Sequence, residues 1–176
     1  MEKNWTTVEL LRHARHDWLN KIQLIKGNMS IGKMDRVEAI IEEIIMDAQM
    51  ESKISNINMP LLAELILTGN WNRYTFELTY EMIDQFNGYP EYDEILTNWI
   101  RSFFEKLSEK ADPFSERILT VFFGSHQEFG LKLGFEFQGQ VNDKLGLLES
   151  LSLPKPFEIF HITEDNDSFF FEITVR

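Results

Sequence analysis

From Trp5 to Lys26 the chain runs without a single Pro or Gly, and Val8, Leu11, Trp18, Ile22, Ile25 and Met29 recur at three- and four-residue steps. That spacing predicts a long amphipathic helix with one apolar stripe, in which Arg15 is the misfit. Thr6 and Glu9 have the spacing of a capping box, so the helix is expected to start near Thr7. Gly27, Asn28, Ser30 and Gly32 then read as a turn. Asp35 and Glu38 repeat the box, and Val37, Ile40, Ile41, Ile44, Ile45 and Ala48 trace a wide apolar face on a second helix running to about Ile54. Residues 6–54 are therefore read as an antiparallel helical hairpin of two helices, each on the order of 30 Å long. Two helices cannot enclose stripes this wide, so a second copy is expected to complete a homodimeric four-helix bundle.

The run SNINM at 55–59, followed by Pro60, breaks the pattern and sets the expected boundary: a hairpin over 1–59 and a second domain over 60–176. A short helix is expected near 61–70. Tyr74, Phe76, Leu78 and Tyr80 alternate with polar residues as in a half-buried strand. Glu94 to Lys110 is amphipathic through Ile95, Trp99, Ile100, Phe103, Phe104 and Leu107, with DPFSE ending it. Strands follow at Ile118–Phe123, Phe129–Phe137 and Phe157–Thr163, with a short helix over Asn142–Leu151. A turn at Asp165, Asn166 and Asp167 leads into Ser168–Val175. The order βαββαββ makes the whole chain α+β, with helices on one face of a mixed sheet in this half.

Charge narrows the function. The net charge is −12, which disfavours nucleic acid and anionic lipid as partners. Residues 1–34 nevertheless carry six Lys and Arg against three Asp and Glu. This leaves either a local basic face suited to an acidic partner or ordinary solvated charges. No apolar run approaches the roughly 18 residues of a spanning helix or the form of a signal peptide, and a cytoplasmic protein is expected. The absence of cysteine removes thiol catalysis and Cys-ligated zinc, which leaves His13, His16, His126 and His161 as nucleophile candidates.

Helical spacing puts Arg12, His16, Asn20 and Gln23 on one surface, with Trp18, Ile22 and Ile25 turned toward the bundle. An exposed imidazole with an arginine and an amide one turn to either side suits nucleophilic attack followed by anion stabilisation. Asp17 and Lys21 do not face it squarely. A zinc reading of His13 and His16 with Asp17 lacks further ligands, because the other two histidines lie far along the chain, and no metal site is expected.

The segment HDWLNKIQLIKGN on the first helix, the opening DRVEAIIEEII of the second, and SKISN at 52–56 resemble the sporulation initiation phosphotransferase family of endospore-forming bacteria. The opening His-Asp-x-x-Asn followed by Ile-x-Gly is also similar to the dimerisation helices of citrate-type sensor histidine kinases. The resemblance implies a dimeric hairpin bundle with a C-terminal α/β domain similar to a degenerate histidine-kinase ATPase domain. It implies a phosphorelay in which His16 takes a phosphoryl group from the aspartate of a single-domain response regulator and gives it to the aspartate of a DNA-binding one. Arg12, Asp17 and Asn20 would then support His16, and Arg15, Lys21, Gln23 and Leu24 would contact the receiver domains. No tightly bound cofactor is implied, Mg²⁺ being supplied by the receiver.

Such ATPase domains carry an asparagine pair four residues apart on their first helix and glycine-rich phosphate loops. Here Asn98 is followed by Ser102, no Asp-x-Gly-x-Gly occurs, and the chain after the third strand reads Gly139-Gln140-Val141-Asn142-Asp143. The expected role of this half is scaffolding or partner docking. Two other readings stay open on the sequence: an autophosphorylating kinase fragment, and a helical dimer that binds receivers without transferring anything.

Overall fold

The computed structural model describes residues 5–84, 86–126, 130–150, 152–165 and 167–175, apart from the side chains of His126, Leu145 and Leu148. The chain divides into two compact units between Ser52 and Lys53.

In the first unit, helix α1 spans Thr7–Ser30 and helix α2 spans Met34–Ser55. The capping box forms: Thr6 Oγ1 accepts the Glu9 amide at 3.3 Å, and the Glu9 carboxylate accepts the Thr6 amide at 3.0 Å. Gly27, Asn28 and Ser30, expected in the turn, are helical instead. The reason is local: the Asn28 amide donates to the Leu24 carbonyl and the Ser30 hydroxyl to the Lys26 carbonyl, so both polar side chains bond back along the helix. The reversal is confined to Ile31, Gly32 and Lys33. Gly32 takes φ +72°, while its amide bonds Met29 and the Lys33 amide bonds Asn28, the paired bonds of a Schellman stop. Because α2 starts at Met34, Asp35 falls in its first turn rather than ahead of it, and the second expected capping box is not the start signal.

Lys21 and Asp47 pair at 2.9 Å across the hairpin. The part-covered side of α1, Leu10, Ala14, Lys21, Ile25 and Asn28, is the side that carries this contact. No side chain of α1 is fully buried. Val8, Leu11, Trp18, Ile22 and Met29 stay exposed, as do Met34, Ile41 and Ile45 on α2, whereas Ile44 is half-buried. One hairpin thus leaves most of its apolar stripe in water, well beyond the scattered apolar exposure normal for a surface.

In the second unit, helix α3 (Pro60–Leu67) leads through a short 3₁₀ turn to strand β1 (Glu77–Met82), helix α4 (Asp93–Lys110), strands β2 (Ile118–His126) and β3 (Gly130–Gln138), helix α5 (Lys144–Glu149), and strands β4 (Phe157–Asp165) and β5 (Ser168–Val175). The sheet order is β1-β2-β3-β5-β4, with β1 and β2 parallel and the other pairs antiparallel. The α+β class and the βαββαββ order hold. The core is aromatic: the Phe103 ring of α4 meets Phe135 edge-on at 5.5 Å and Phe171 at 5.3 Å.

Several boundaries move, each for a physical reason. Ile57 and Met59 of the SNINM run are buried in this core next to Ile54, so the run that breaks the helical pattern packs into the second unit through its two apolar residues. The first strand begins at Glu77, not Tyr74, because the Thr75 amide donates to the Ser108 hydroxyl and the Thr75 hydroxyl to the Ser108 carbonyl; the segment is tied to α4 before it can pair with β2. Helix α5 starts two residues later than expected, since Asp143 adopts φ 65° and its carboxylate accepts the Gly146 amide at 2.9 Å. Phe129, Leu151 and Asn166, named at strand, helix and turn ends, lie outside the described residues.

One polar contact fixes the helices of this unit. Met59 gives α3 no side-chain cap, yet the Leu61 and Leu62 amides both donate at 2.9 Å to the carboxylate of buried Asp93, at the start of α4. Two otherwise orphaned buried donors are satisfied from a residue thirty positions on. Asp93→Ala should lower the unfolding free energy of the second unit by about 2–4 kcal/mol. Urea titration followed by Trp fluorescence would show this, and an unchanged midpoint would contradict the assignment.

Candidate functional site

Helix α1 has a circumference with three uses. Taking His16 as the reference and about 100° per residue, Arg12, Asn20 and Gln23 lie within about 40° of it. Lys21, on the side facing α2, lies about 140° round in one direction, and Ile22, in the exposed apolar stripe, about 120° round in the other. The sequence-predicted cluster of Arg12, His16, Asn20 and Gln23 is therefore brought together on the outer face.

The His16 side chain is 71% exposed. Its Nδ1 lies 3.3 Å from the Asp17 carboxylate and 3.2 Å from the Asn20 amide. Asp17 thus reaches the imidazole directly, although it is the adjacent residue. The ionised carboxylate can only accept and calls for a proton on Nδ1, whereas the Asn20 Nδ2 can only donate and calls for a lone pair there, so the two contacts favour opposite tautomers. With the proton on Nδ1, the lone pair sits on Nε2, which no described residue engages, on the exposed ring.

The other expected residues are placed as follows. Arg15, Gln23 and Leu24 are exposed and open to a partner. Lys21 is committed to Asp47 and is not brought to His16. His13 lies about 60° round the helix, with its ring edge-on to Trp5 at 4.9 Å. Leu19, which sequence reasoning passed over, is exposed beside His16. Its signal was an apolar residue interrupting an otherwise polar arc. The charge is also divided between the helices: α1 carries Arg12, Arg15, Lys21 and Lys26 against Glu9 and Asp17, whereas Asp35, Glu38, Glu42, Glu43, Asp47 and Glu51 dominate α2.

The positions of the second unit that the sequence singles out for phosphate-binding chemistry are engaged within the domain. Ser102 Oγ donates to the Asn98 carbonyl at 3.0 Å, and Asn98 Oδ1 accepts from Arg101, so neither side chain projects a free ligand pair from α4. Gly139, at φ 144°, packs where a Cβ would meet the Glu116 carbonyl at 2.4 Å, so it serves a tight chain crossing. The amides that could cradle phosphate are already used: Gly139 donates to the Asp167 carbonyl, Gln140 to Ser115, and Asn142 to the Lys110 carbonyl. Asp143 is held below the usual carboxylate range by the Gly146 amide and then by Lys110. Helix α5 is tied to α4 at both ends, by Lys110 to Asp143 at 3.2 Å and by Lys106 to the Ser150 carbonyl at 2.7 Å. A cleft of about 630 Å³ at one end of the sheet is lined by Glu116, Asp165 and Asp167, which repel phosphate. Among the described residues no group of His, Asp and Glu is arranged to hold a metal ion, and no helix is long and apolar enough to cross a membrane.

A helical hairpin that offers one exposed imidazole on its basic helix, followed by an α/β unit, is the layout of a histidine phosphotransfer protein. Residues 1–57 match the family model described as the sensor kinase SpoOB-type alpha-helical domain, and residues 58–175 match the sporulation initiation phosphotransferase B C-terminal model. The chain is 41% identical over 137 residues to the sporulation initiation phosphotransferase B of Bacillus subtilis (strain 168), covering 77% of this chain and 71% of that relative. Among solved structures it is similar to the histidine kinase AdeS of Acinetobacter baumannii, at TM-score 0.44 and 10% identity over 91% of this chain and 96% of that one. The histidine kinase domain of the Erythrobacter litoralis EL346 blue-light activated kinase gives TM-score 0.44 and 9% identity over 89% and 95%. The chain belongs to the sporulation initiation phosphotransferase B family, and it is a phosphotransferase.

The charged Asp17 carboxylate is expected to outweigh the neutral Asn20 amide in setting the tautomer, and this is open to measurement. Nitrogen chemical shifts of His16 near pH 8 should report a protonated Nδ1 and a bare Nε2, and Asp17→Ala should move the ring toward the opposite tautomer. Unchanged shifts in that variant would remove Asp17 from the site.

Proposed function

We propose that this protein carries phosphoryl groups between response regulators in a sporulation phosphorelay, with His16 as the carrier. The observation that supports it is an exposed imidazole whose Nδ1 is held by Asp17 and Asn20 while Nε2 is left to react. The Nε2 lone pair attacks the phosphorus of a receiver aspartyl phosphate in line. An N–P bond forms as the P–O bond to the aspartate breaks, and the carboxylate leaves. Positive charge grows on the ring during attack, and the Asp17 carboxylate on Nδ1–H stabilises it. The reverse displacement by the aspartate of a second receiver regenerates the neutral imidazole. A receiver binds its Mg²⁺ in its own acidic pocket, so the bundle supplies only the nucleophile and positive charge, with Arg12 the nearest cation on the face.

The receivers are proposed to dock on the outer face of α1 through Gln23 and Leu24, with Leu19 added, and with Arg15 reaching them from beside the apolar stripe. The acidic surface around a receiver's active site suits the basic helix. The protein is proposed to act as a homodimer in which the exposed stripes of two hairpins close a four-helix bundle. That arrangement buries Trp18 and Ile22 and keeps His16 outside. Phosphoryl donors are receivers rather than ATP, because the amides of residues 139, 140 and 142 and the side chains of Asn98 and Ser102 are already bonded within the domain.

Incubation with a phosphorylated single-domain receiver should place acid-labile label on the wild type and none on His16→Gln, with helicity and association state unchanged. Label persisting on that variant would end the assignment. Ile45→Lys combined with Ile22→Lys should yield monomers in analytical ultracentrifugation, whereas a monomeric wild type would overturn the bundle. Millimolar Mg-ATP should leave the melting temperature unmoved, since a ligand stabilises in proportion to the logarithm of its concentration over Kd. Label from γ-labelled ATP without a receiver would identify a kinase instead.

A further inference from the structure

The two edges of the five-stranded sheet are treated differently. At the β1 edge the Asn70 side chain does what a neighbouring strand would do: its Nδ2 donates to the Leu78 carbonyl and its Oδ1 accepts the Leu78 amide, both at 2.8 Å. That edge is blocked at Leu78. At the other end of the sheet β4 pairs with β5, and among the described residues no further strand pairs with it. The strand is nine residues long, and Phe160 and Ile162 are 57% and 44% exposed. A bulge lies between Ile159 and His161, beyond which pairing with β5 is continuous from His161 to Asp165. Exposed apolar edge strands of this length are templates for another strand unless something opposes it.

The charge on β4 decides which strand it accepts. Phe157–Asp165 contains Glu158, Glu164 and Asp165 and no Lys or Arg. A second copy is opposed, because antiparallel pairing about Ile162 sets Glu158 against Asp165 on one face, and parallel pairing in register sets each carboxylate against itself. From the register with β5, Glu158, His161, Thr163 and Asp165 share one face, and Ile159, Ile162 and Glu164 share the other. We infer that the β4 edge is a docking site for an extended segment of a partner protein in which Lys or Arg alternates with β-branched apolar residues. Backbone hydrogen bonds supply affinity, Ile162 contacts the apolar side chains, and the carboxylates select the basic ones.

The test uses the whole 176-residue chain and a short blocked peptide alternating Lys with Val. Amides of β4 should exchange at least about tenfold more slowly with the peptide bound, while amides of α1 and α2 are unaffected. Glu158→Lys with Asp165→Lys should weaken the basic peptide by about tenfold, from cross-strand pair energies that reverse sign, and should allow an alternating Glu and Val peptide to bind. Glu158→Gln with Asp165→Asn, close in shape to the wild type, should give a smaller loss in the same direction. Protection confined to another element, or equal affinity in wild type and charge-reversed protein, would overturn the site. Protection of β4 that rises with protein concentration alone would mean that a second copy occupies it, and would overturn it equally.

Discussion

A helix has a single circumference, and α1 must serve three neighbours with it. One arc touches α2 through Lys21 and Asp47, a second is an apolar stripe that nothing in one hairpin covers, and what remains holds His16. The rest of the first unit depends on this division. If the stripe moved by one position it would rotate about 100° and take the imidazole with it. The polar side chains that lengthen α1 to Ser30 matter for the same reason. They keep the register unbroken up to the Gly32 stop, so the turn fixes which residues of α2 lie opposite which residues of α1.

The chemistry proposed at His16 needs little machinery, which suits a site built on a bare helix surface. Asp17 and Asn20 come from the same helix and reach only Nδ1. The ring is exposed, and under that proposal a receiver would bring its own phosphoryl group and its own cation to it. An enclosed pocket would exclude such a partner.

The second unit spends its polar groups on itself. Asp93 caps α3, Asn70 closes an edge of β1, Asp143 caps α5, and Lys106 and Lys110 fasten α5 to α4. Backbone amides that might have met phosphate are bonded to carbonyls and to Ser115. Each of these contacts raises rigidity and removes a ligand position at once.

How much of this was legible in the sequence follows from the range of each interaction. The capping box at Thr6 and Glu9, the apolar period of the hairpin, the face shared by Arg12, His16, Asn20 and Gln23, and the strand order of the second half all depend on neighbours within a few residues. The sequence determined them because helix and strand geometry fixes their spacing. Tyr74 read as the start of a strand, and the run holding Ile57 and Met59 as a break between domains; Ser108, far along the chain, and burial in a core not yet assembled give them other places. Only the tertiary structure decided these. Asp93 reaching Leu61, Asn70 pairing with Leu78 and Ser108 holding Thr75 join positions whose separation carries no periodic signal, and they come within hydrogen-bonding distance only after the aromatic core has packed.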